Sequence, residues 1–108
     1  MPHPNADAIP RISYEEAQDL HGRDGVVFLD VREPAEVAAG KIAGAVAIPL
    51  GEVAARVDEV AGAQTVVVYC AAGARAATAG GLLREAGLAD VRNAGGFRDW
   101  AEADGAVD

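Results

Sequence analysis

The residue best suited to do chemistry in this chain is its single cysteine, Cys70, which follows a run of apolar, β-branched residues. Four small residues, Ala71-Ala72-Gly73-Ala74, separate this thiol from the guanidinium of Arg75. Small side chains allow backbone N–H groups to turn inward, and such groups bind anions, helped by a helix N-terminus. The same helix end and the nearby cation stabilise a thiolate. The pattern predicts a nucleophilic sulfur in a pocket for a small anion.

Other interpretations of these two residues remain open at this level. A cysteine that ends a buried strand is often a small core residue, and Arg75 alone fits an ordinary surface position. No histidine flanks Cys70, which argues against a Cys–His acyl transferase. The order of strand, cysteine, small loop, arginine and helix favours the functional interpretation, because a core cysteine does not require it.

The elements that must position this loop alternate between helix and strand. Ser13 and Glu16 match a helix capping box, and the run before Cys70 is typical of a central strand. Glycines and prolines bound the other segments. Helices are predicted over residues 13–21, 34–39, 52–60, 74–86 and 96–103, and strands over 26–31, 45–48, 65–69 and 90–93. This order predicts an α/β fold with a mostly parallel sheet, in which ligands bind at the carboxyl ends of the strands.

Length and charge limit what the chain can do. Its 108 residues fit one domain over residues 10–104, with an N-terminal tail over 1–9 and a C-terminal tail over 105–108. The net charge of −8 argues against binding nucleic acid or anionic membranes, so neither is expected as a partner. No apolar run reaches membrane-spanning length and no signal pattern begins the chain, so we expect a cytoplasmic protein that keeps its thiol reduced.

Neither a metal nor another cofactor is expected from the residue types. One cysteine excludes an internal disulfide, and no cysteine–histidine cluster with metal-ligand spacing occurs. The two histidines, His3 and His21, are interpreted as surface residues. Gly80 and Gly81 interrupt a predicted helix at a cost of about 1 kcal/mol each relative to alanine, which indicates close packing there.

Three motifs in this order resemble those of the rhodanese-homology domain. The first is Asp30-Val31-Arg32-Glu33-Pro34-Ala35-Glu36, followed by Gly40-Lys41-Ile42-Ala43-Gly44-Ala45 and Ile48-Pro49. The second is the loop from Cys70 to Arg75, which is similar to the family's C-x-x-G-x-R. The third is Asn93-Ala94-Gly95-Gly96-Phe97-Arg98-Asp99-Trp100. The resemblance spans residues 10 to 104, and the order and spacing of the motifs make it specific.

The resemblance implies a three-layer fold with about five parallel strands and helices on both faces. It implies Cys70 as the catalytic nucleophile that holds a persulfide. Asp30 and Arg32 would support the site as a structural salt bridge or loop anchor, or form a surface pair. Trp100 is expected in the core. The substrate-binding residues implied are those of the loop, Ala71, Ala72, Gly73, Ala74, Arg75 and Ala76.

The resemblance also implies a function, namely transfer of sulfane sulfur from a donor such as thiosulfate to cyanide or a thiol. The partners expected are therefore a small sulfur donor and such an acceptor, or a thioredoxin-like or other sulfur-accepting protein. Many members carry an arginine directly after the cysteine, where this chain has Ala71. The loss of that cation weakens the case for dianionic thiosulfate. Lys41 and Ala47 also depart from common family residues, away from the expected chemistry.

Two alternatives stay open beside sulfur transfer. A thiol-based phosphatase or arsenate reductase needs five residues between cysteine and arginine to hold a tetrahedral oxyanion, whereas this loop has four. Tyr69 also replaces the histidine that commonly precedes such a cysteine. A sulfur carrier or regulatory module that binds a protein partner is the other alternative, although regulatory members usually lack the cysteine.

Overall fold

The computed structural model of the protein describes residues 9–108 and contains one parallel sheet of four strands. The strand order is β2-β1-β3-β4, so the two strands with the longest apolar runs lie in the middle. Central strands of a parallel sheet are buried on both faces, which suits β-branched residues. The strands are β1 (Val26–Asp30), β2 (Val46–Ala47), β3 (Thr65–Cys70) and β4 (Val91–Gly96).

Helices cover both faces of this sheet. One face packs mainly against α3 and the other against α1 and α4, and each interface has its own cluster of buried apolar residues. The helices are α1 (Tyr14–Leu20), α2 (Pro34–Ala38), α3 (Ala74–Glu85) and α4 (Phe97–Glu102). The predicted capping box of Ser13 and Glu16 is present at the start of α1. The three-layer α/β fold is therefore confirmed.

The sheet has one strand fewer than the five that the resemblance implied. Among residues 9–108, the outer edge of β4 carries a single parallel bridge, between Arg11 and Asn93. The Asn93 amide donates to the Pro10 carbonyl at 2.8 Å, and the Ile12 amide donates to the Asn93 carbonyl at 2.9 Å. Pairing stops there because Pro10 has no N–H and Ser13 already caps α1. A fixed extended segment thus lies beside β4 in place of a fifth strand.

The predicted helix over residues 52–60 is wrong. Two short 3-10 turns, Leu50–Glu52 and Val57–Glu59, occupy that part of the chain. The backbone at Arg56 (φ −118°, ψ 18°) leaves the helical region between them. A buried valine follows each turn, Val53 at 1% and Val60 at 2% exposure. Burial of these two side chains, and not helical periodicity, therefore determines the backbone conformation of the segment.

Histidine 21 is not the surface residue that the sequence suggested. Its ring lies edge-on to Phe28 and Trp100, with centroid distances of 5.2 and 5.1 Å, and its Nε2 is 2.8 Å from the Ala43 carbonyl. Trp100 is 4% exposed, as expected for a core residue, and its Nε1 donates to the Ala106 carbonyl at 2.9 Å. The aromatic residues therefore form much of the core on the α1 and α4 side.

The two ends of the described chain both contact the domain. Of the expected N-terminal tail, residues 1–8 with His3 lie outside the described residues. Ile9 packs so closely on α3 that a Cβ at Gly80 would lie 2.9 Å from its Cγ1, which accounts for a glycine inside that helix. At the other end, Asp108 accepts from the Lys41 Nζ at 2.7 Å, and Val107 bridges to Ile42.

Candidate functional site

Cys70 is the last residue of β3 and lies at the carboxyl edge of the sheet, where α/β folds bind ligands. It is 1% exposed and belongs to the core cluster on the α3 face. Its Sγ accepts a hydrogen bond from the Gly73 backbone N–H at 3.0 Å. Because α3 begins at Ala74, the sulfur lies beside the positive end of a 12-residue helix.

The loop after Cys70 leads directly into the first turn of α3, where backbone amides lack intrahelical acceptors. Gly73 adopts φ +110°, which lets its N–H point back at the sulfur, and few residues other than glycine tolerate this angle. The Ala77 amide donates to the Gly73 carbonyl at 3.0 Å, so the intrahelical ladder of α3 begins there. The amides of Ala74, Arg75 and Ala76, in the first turn, have no intrahelical acceptor. These N–H groups are available to an anion.

Residues at the end of β4 pack against this loop and support it. The sequence gave these residues no such role. A bulge between Val68 and Tyr69 shifts the register so that Gly96 pairs directly with Cys70. A Cβ on Gly96 would collide with the Ala71 carbonyl oxygen, so the loop rests on the bare glycine backbone.

Asn93 ties the loop to the same strand. Its Nδ2 donates to the Gly73 carbonyl at 3.1 Å, and its Oδ1 accepts from the Gly95 amide at 2.7 Å. The side chain is 5% exposed and its amide is used on both sides. Burial of the Asn93 side chain requires such partners, and the sequence alone did not show that this residue is buried.

Arg75 does not point freely into the loop, since a carboxylate already binds it. Its Nη1 and Nη2 donate to Oε1 and Oε2 of Glu36 at 2.7 and 3.0 Å. The Arg75 guanidinium, with the Glu33 backbone amide, lowers the pKa of Glu36 to about 2. Glu36 in turn raises the pKa of Arg75, with smaller contributions from Cys70. The sequence motif contains Glu36, but only the fold brings it from α2 to the start of α3.

Asp30 and Arg32 form a second ion pair, at the end of β1. They are 0% and 6% exposed, so they are not a surface pair. Arg32 donates to both carboxylate oxygens of Asp30, at 2.7 to 3.1 Å, and also to the Gly40 carbonyl at 2.6 Å. Burial opposes the charge of Arg32, yet the hydrogen bond and charge of Asp30, with smaller contributions from Tyr69 and Glu36, raise the pKa of Arg32. The Phe97 ring lies 4.4 Å from the guanidinium. The pair fixes the segment that leads into and out of α2.

The structure thus gathers the predicted residues at one sheet edge but divides them by position. Cys70 and the loop from Ala71 to Ala76 lie at the end of β3, whereas Asp30 and Arg32 lie at the end of β1, just before α2, which carries Glu36 to Arg75. Within residues 9–108, no cluster of three or more histidine, cysteine or acidic side chains could hold a metal ion. No helix in that part of the chain is long and apolar enough to span a membrane.

Almost the whole domain matches one known protein family. The Rhodanese-like domain family matches residues 13–103, which include the sheet, the cysteine loop and the strand that supports it. The chain belongs to the rhodanese-like domain family. This agrees with the three motifs read from the sequence.

Two sequence relatives and one solved structure are also similar to this chain. A sulfurtransferase of Allochromatium vinosum is 36% identical over 79% of this chain and 80% of its own length. Thiosulfate sulfurtransferase PspE of Escherichia coli is 40% identical over 68% of this chain and 73% of its own. A Rhodopseudomonas palustris protein of unknown function, described as a possible tyrosine phosphatase, superposes with a TM-score of 0.87 at 29% identity, covering 96% of this chain and 89% of that one.

Proposed function

We propose that this rhodanese-like domain is a sulfurtransferase in which Cys70 carries sulfur as a persulfide. The observation that supports this most directly is the hydrogen bond from the Gly73 amide to the Cys70 Sγ, at the N-terminus of α3. An N–H donor and a helix dipole both stabilise a thiolate, so no neighbouring general base is needed. Two relatives named as sulfurtransferases agree with this chemistry.

The rest of the loop is proposed to bind the transferred sulfur. In the persulfide, the outer sulfur carries the negative charge and needs hydrogen-bond donors close to Cys70. The first-turn amides of α3 lack intrahelical acceptors, and the alanine side chains leave room beside them. Substrate binding is therefore assigned to Ala71, Ala72, Gly73, Ala74, Arg75 and Ala76, with Asp30 and Arg32 as the supporting pair.

The proposed cycle has two displacements. The Cys70 thiolate attacks the sulfane sulfur of thiosulfate, a Sγ–S bond forms, and sulfite leaves with the electron pair of the cleaved S–S bond. Cyanide or a thiolate then attacks the outer sulfur, and the electron pair returns to Sγ as the thiolate. Since Cys70 is the only cysteine, the persulfide is discharged by an outside acceptor, either a small molecule or a protein such as a thioredoxin-like one.

Phosphoryl transfer is less well supported, although one structural neighbour is described as a possible tyrosine phosphatase. A phosphatase loop uses its arginine to bind the oxygens of the phosphoryl group in a bidentate manner. Here both Nη atoms of Arg75 bind Glu36, and the loop has only four residues between Cys70 and Arg75. A single sulfur atom fits this smaller ring of amides better than a tetrahedral oxyanion.

Intact mass after incubation with thiosulfate tests the proposal. The wild-type protein is expected to gain one sulfur atom, and cyanide is expected to remove it with release of thiocyanate. Cys70→Ser should show neither event. Cys70→Ser is a matched control because it keeps the size and the hydrogen-bonding capacity of the side chain but lacks the nucleophilic sulfur.

The alternatives give distinct outcomes in the same preparation. Absence of a sulfur adduct with thiosulfate and with polysulfide would overturn sulfur transfer. Hydrolysis of an aryl phosphate that disappears in Cys70→Ser would instead establish the phosphatase. A stable adduct that cyanide and small thiols discharge slowly, but a reduced thioredoxin-like protein discharges quickly, would narrow the function to that of a sulfur carrier.

A further inference from the structure

We propose that Arg11 binds the anionic sulfur donor at the rim of the cysteine loop, a role that rests on the proposed sulfur transfer. The sequence gave Arg11 no function, since it precedes the first helix and lies 59 positions before Cys70. The fold nevertheless places its guanidinium against the loop. An ideal Cβ on Gly73 would lie 3.0 Å from the Arg11 Nη1, and one on Gly95 would lie 2.9 Å from its Nε.

The backbone of Arg11 is fixed in this position. It pairs with Asn93 in a parallel bridge, and hydrogen bonds from Asn93 to the Pro10 carbonyl and from Ile12 to the Asn93 carbonyl flank it. Residues paired across parallel strands direct their side chains to the same face of a sheet. The Asn93 side chain reaches the Gly73 carbonyl, and that of Arg11 runs beside it to the same glycine.

That face is the one that carries the nucleophile. Val91, two residues before Asn93 on β4, packs in the same buried cluster as Cys70. Because the Gly73 amide is 3.0 Å from the Cys70 Sγ, standard backbone geometry places the Arg11 Nη1 within about 9 Å of that sulfur. A thiosulfate whose sulfane sulfur meets Sγ extends its sulfonate outward by several ångströms, within reach of an exposed arginine.

The charges around the loop make a cation here significant. The protein carries a net charge of −8, and Ala71 stands where many family members have an arginine. Arg75 is bound on both Nη atoms by Glu36. Arg11 is exposed, and among residues 9–108 no carboxylate forms an ion pair with it. Arg11 therefore supplies, from another part of the chain, a cation that no carboxylate of residues 9–108 pairs with, beside a loop whose own Arg75 is paired with Glu36.

The two half-reactions provide the test, because only the first uses a dianion. Loading of Cys70 by thiosulfate should slow about three- to tenfold in Arg11→Ala at low ionic strength, and the difference should shrink as salt is added. Arg11→Glu should slow loading further, and Arg11→Lys should keep most of the rate. Discharge of the persulfide by 2-mercaptoethanol, which attacks as a thiolate with a single negative charge, should change much less than loading in all three variants. Arg98→Ala is the matched control, because Arg98 is 83% exposed on α4.

A binding measurement separates this proposal from sulfur transfer itself. In the Cys70→Ser background, calorimetry should show thiosulfate binding that weakens when Arg11→Ala is added, and this needs no chemistry. Such binding by Cys70→Ser, together with no sulfur adduct on the wild-type protein, would support the binding role of Arg11 and overturn sulfur transfer. Equal loading rates in wild type and Arg11→Ala would overturn Arg11 alone, as would equal slowing of both half-reactions. Absence of both loading and binding would overturn both proposals.

Discussion

Two arginine–carboxylate pairs lie at the same edge of the sheet, yet their surroundings differ. Asp30 and Arg32 are 0% and 6% exposed, and Arg32 also binds a backbone carbonyl and an aromatic ring. Glu36 and Arg75 are 36% and 34% exposed and bind each other through a bidentate contact, and Glu36 also accepts from the Glu33 amide. A buried pair that loses one partner leaves an uncompensated charge, whereas an exposed pair is screened by water.

The fold places the supporting contacts apart from the loop that carries the cysteine. The buried pair sets the path of the chain around α2, and that helix delivers Glu36 to Arg75. The exposed pair then holds the start of α3 without closing the loop, whose amides remain open for an anion. The buried ion pair therefore lies beside the candidate site, while the first turn of α3 keeps N–H groups without an intrahelical acceptor.

The largest effect is expected from breaking the buried pair. Asp30→Ala leaves Arg32 charged in a protein interior, so the free energy of unfolding should fall by about 3–5 kcal/mol. Urea unfolding followed by circular dichroism measures this. Asp30→Asn keeps the volume and serves as a second variant if the alanine protein does not fold. Asp58→Ala, at an exposed aspartate, should change stability by less than about 0.5 kcal/mol. Equal losses of stability in Asp30→Ala and Asp58→Ala would contradict the large contribution expected of the buried pair.

The next effect concerns the contact between β4 and the loop. In Gly96→Ala, the added methyl group meets the Ala71 carbonyl, so the loop must shift. Such overpacking costs about 1–3 kcal/mol. A displacement of the nucleophile should also slow sulfur loading by thiosulfate at least about tenfold, measured by intact mass. Gly51→Ala is the control, since a Cβ there meets nothing within 4 Å. Loading at the wild-type rate in Gly96→Ala would show that the loop tolerates the shift.

A smaller effect is expected from the exposed pair. Glu36→Gln keeps the shape and one acceptor but removes the charge, and exposed pairs contribute only about 0.2–1 kcal/mol. Urea unfolding of this variant should therefore differ from wild type by no more than that. A fall in the free energy of unfolding as large as that of Asp30→Ala would show that the exposed pair stabilises the protein as much as the buried pair does.

The smallest effect is a pH dependence of the same pair. Arg75 lowers the pKa of Glu36 from 4.5 to about 2, so the folded state holds this carboxylate charged where the unfolded chain begins to protonate it. The contribution of Glu36 is complete above pH 4.5 and is lost as the pH falls toward 2. The stability difference between wild type and Glu36→Gln should hence shrink over this range. A difference that stays constant down to pH 2 would contradict the lowered pKa.

Local sequence signals predicted most of the fold. The capping box set the start of α1, the β-branched run set β3, and Pro34 with Gly40 bounded α2, since each acts within a few residues. The segment over 52–60 was mispredicted because burial of Val53 and Val60 decided its backbone. The fifth strand implied by the resemblance is reduced to one bridge, where Pro10 and the cap of α1 limit the pairing.

The sequence by itself determined the family, the place of Cys70 at a strand end and the small residues of its loop. These depend on residue type and short spacing, which act locally. Only the tertiary structure decided which side chains complete the site: Glu36 on Arg75, Asn93 and Gly96 beneath the loop, and Arg11 at its rim. Such contacts join residues from 20 positions apart, for Asn93 and Gly73, to 84 positions apart, for Arg11 and Gly95. Their geometry exists only once parallel strands bring their carboxyl ends to one edge.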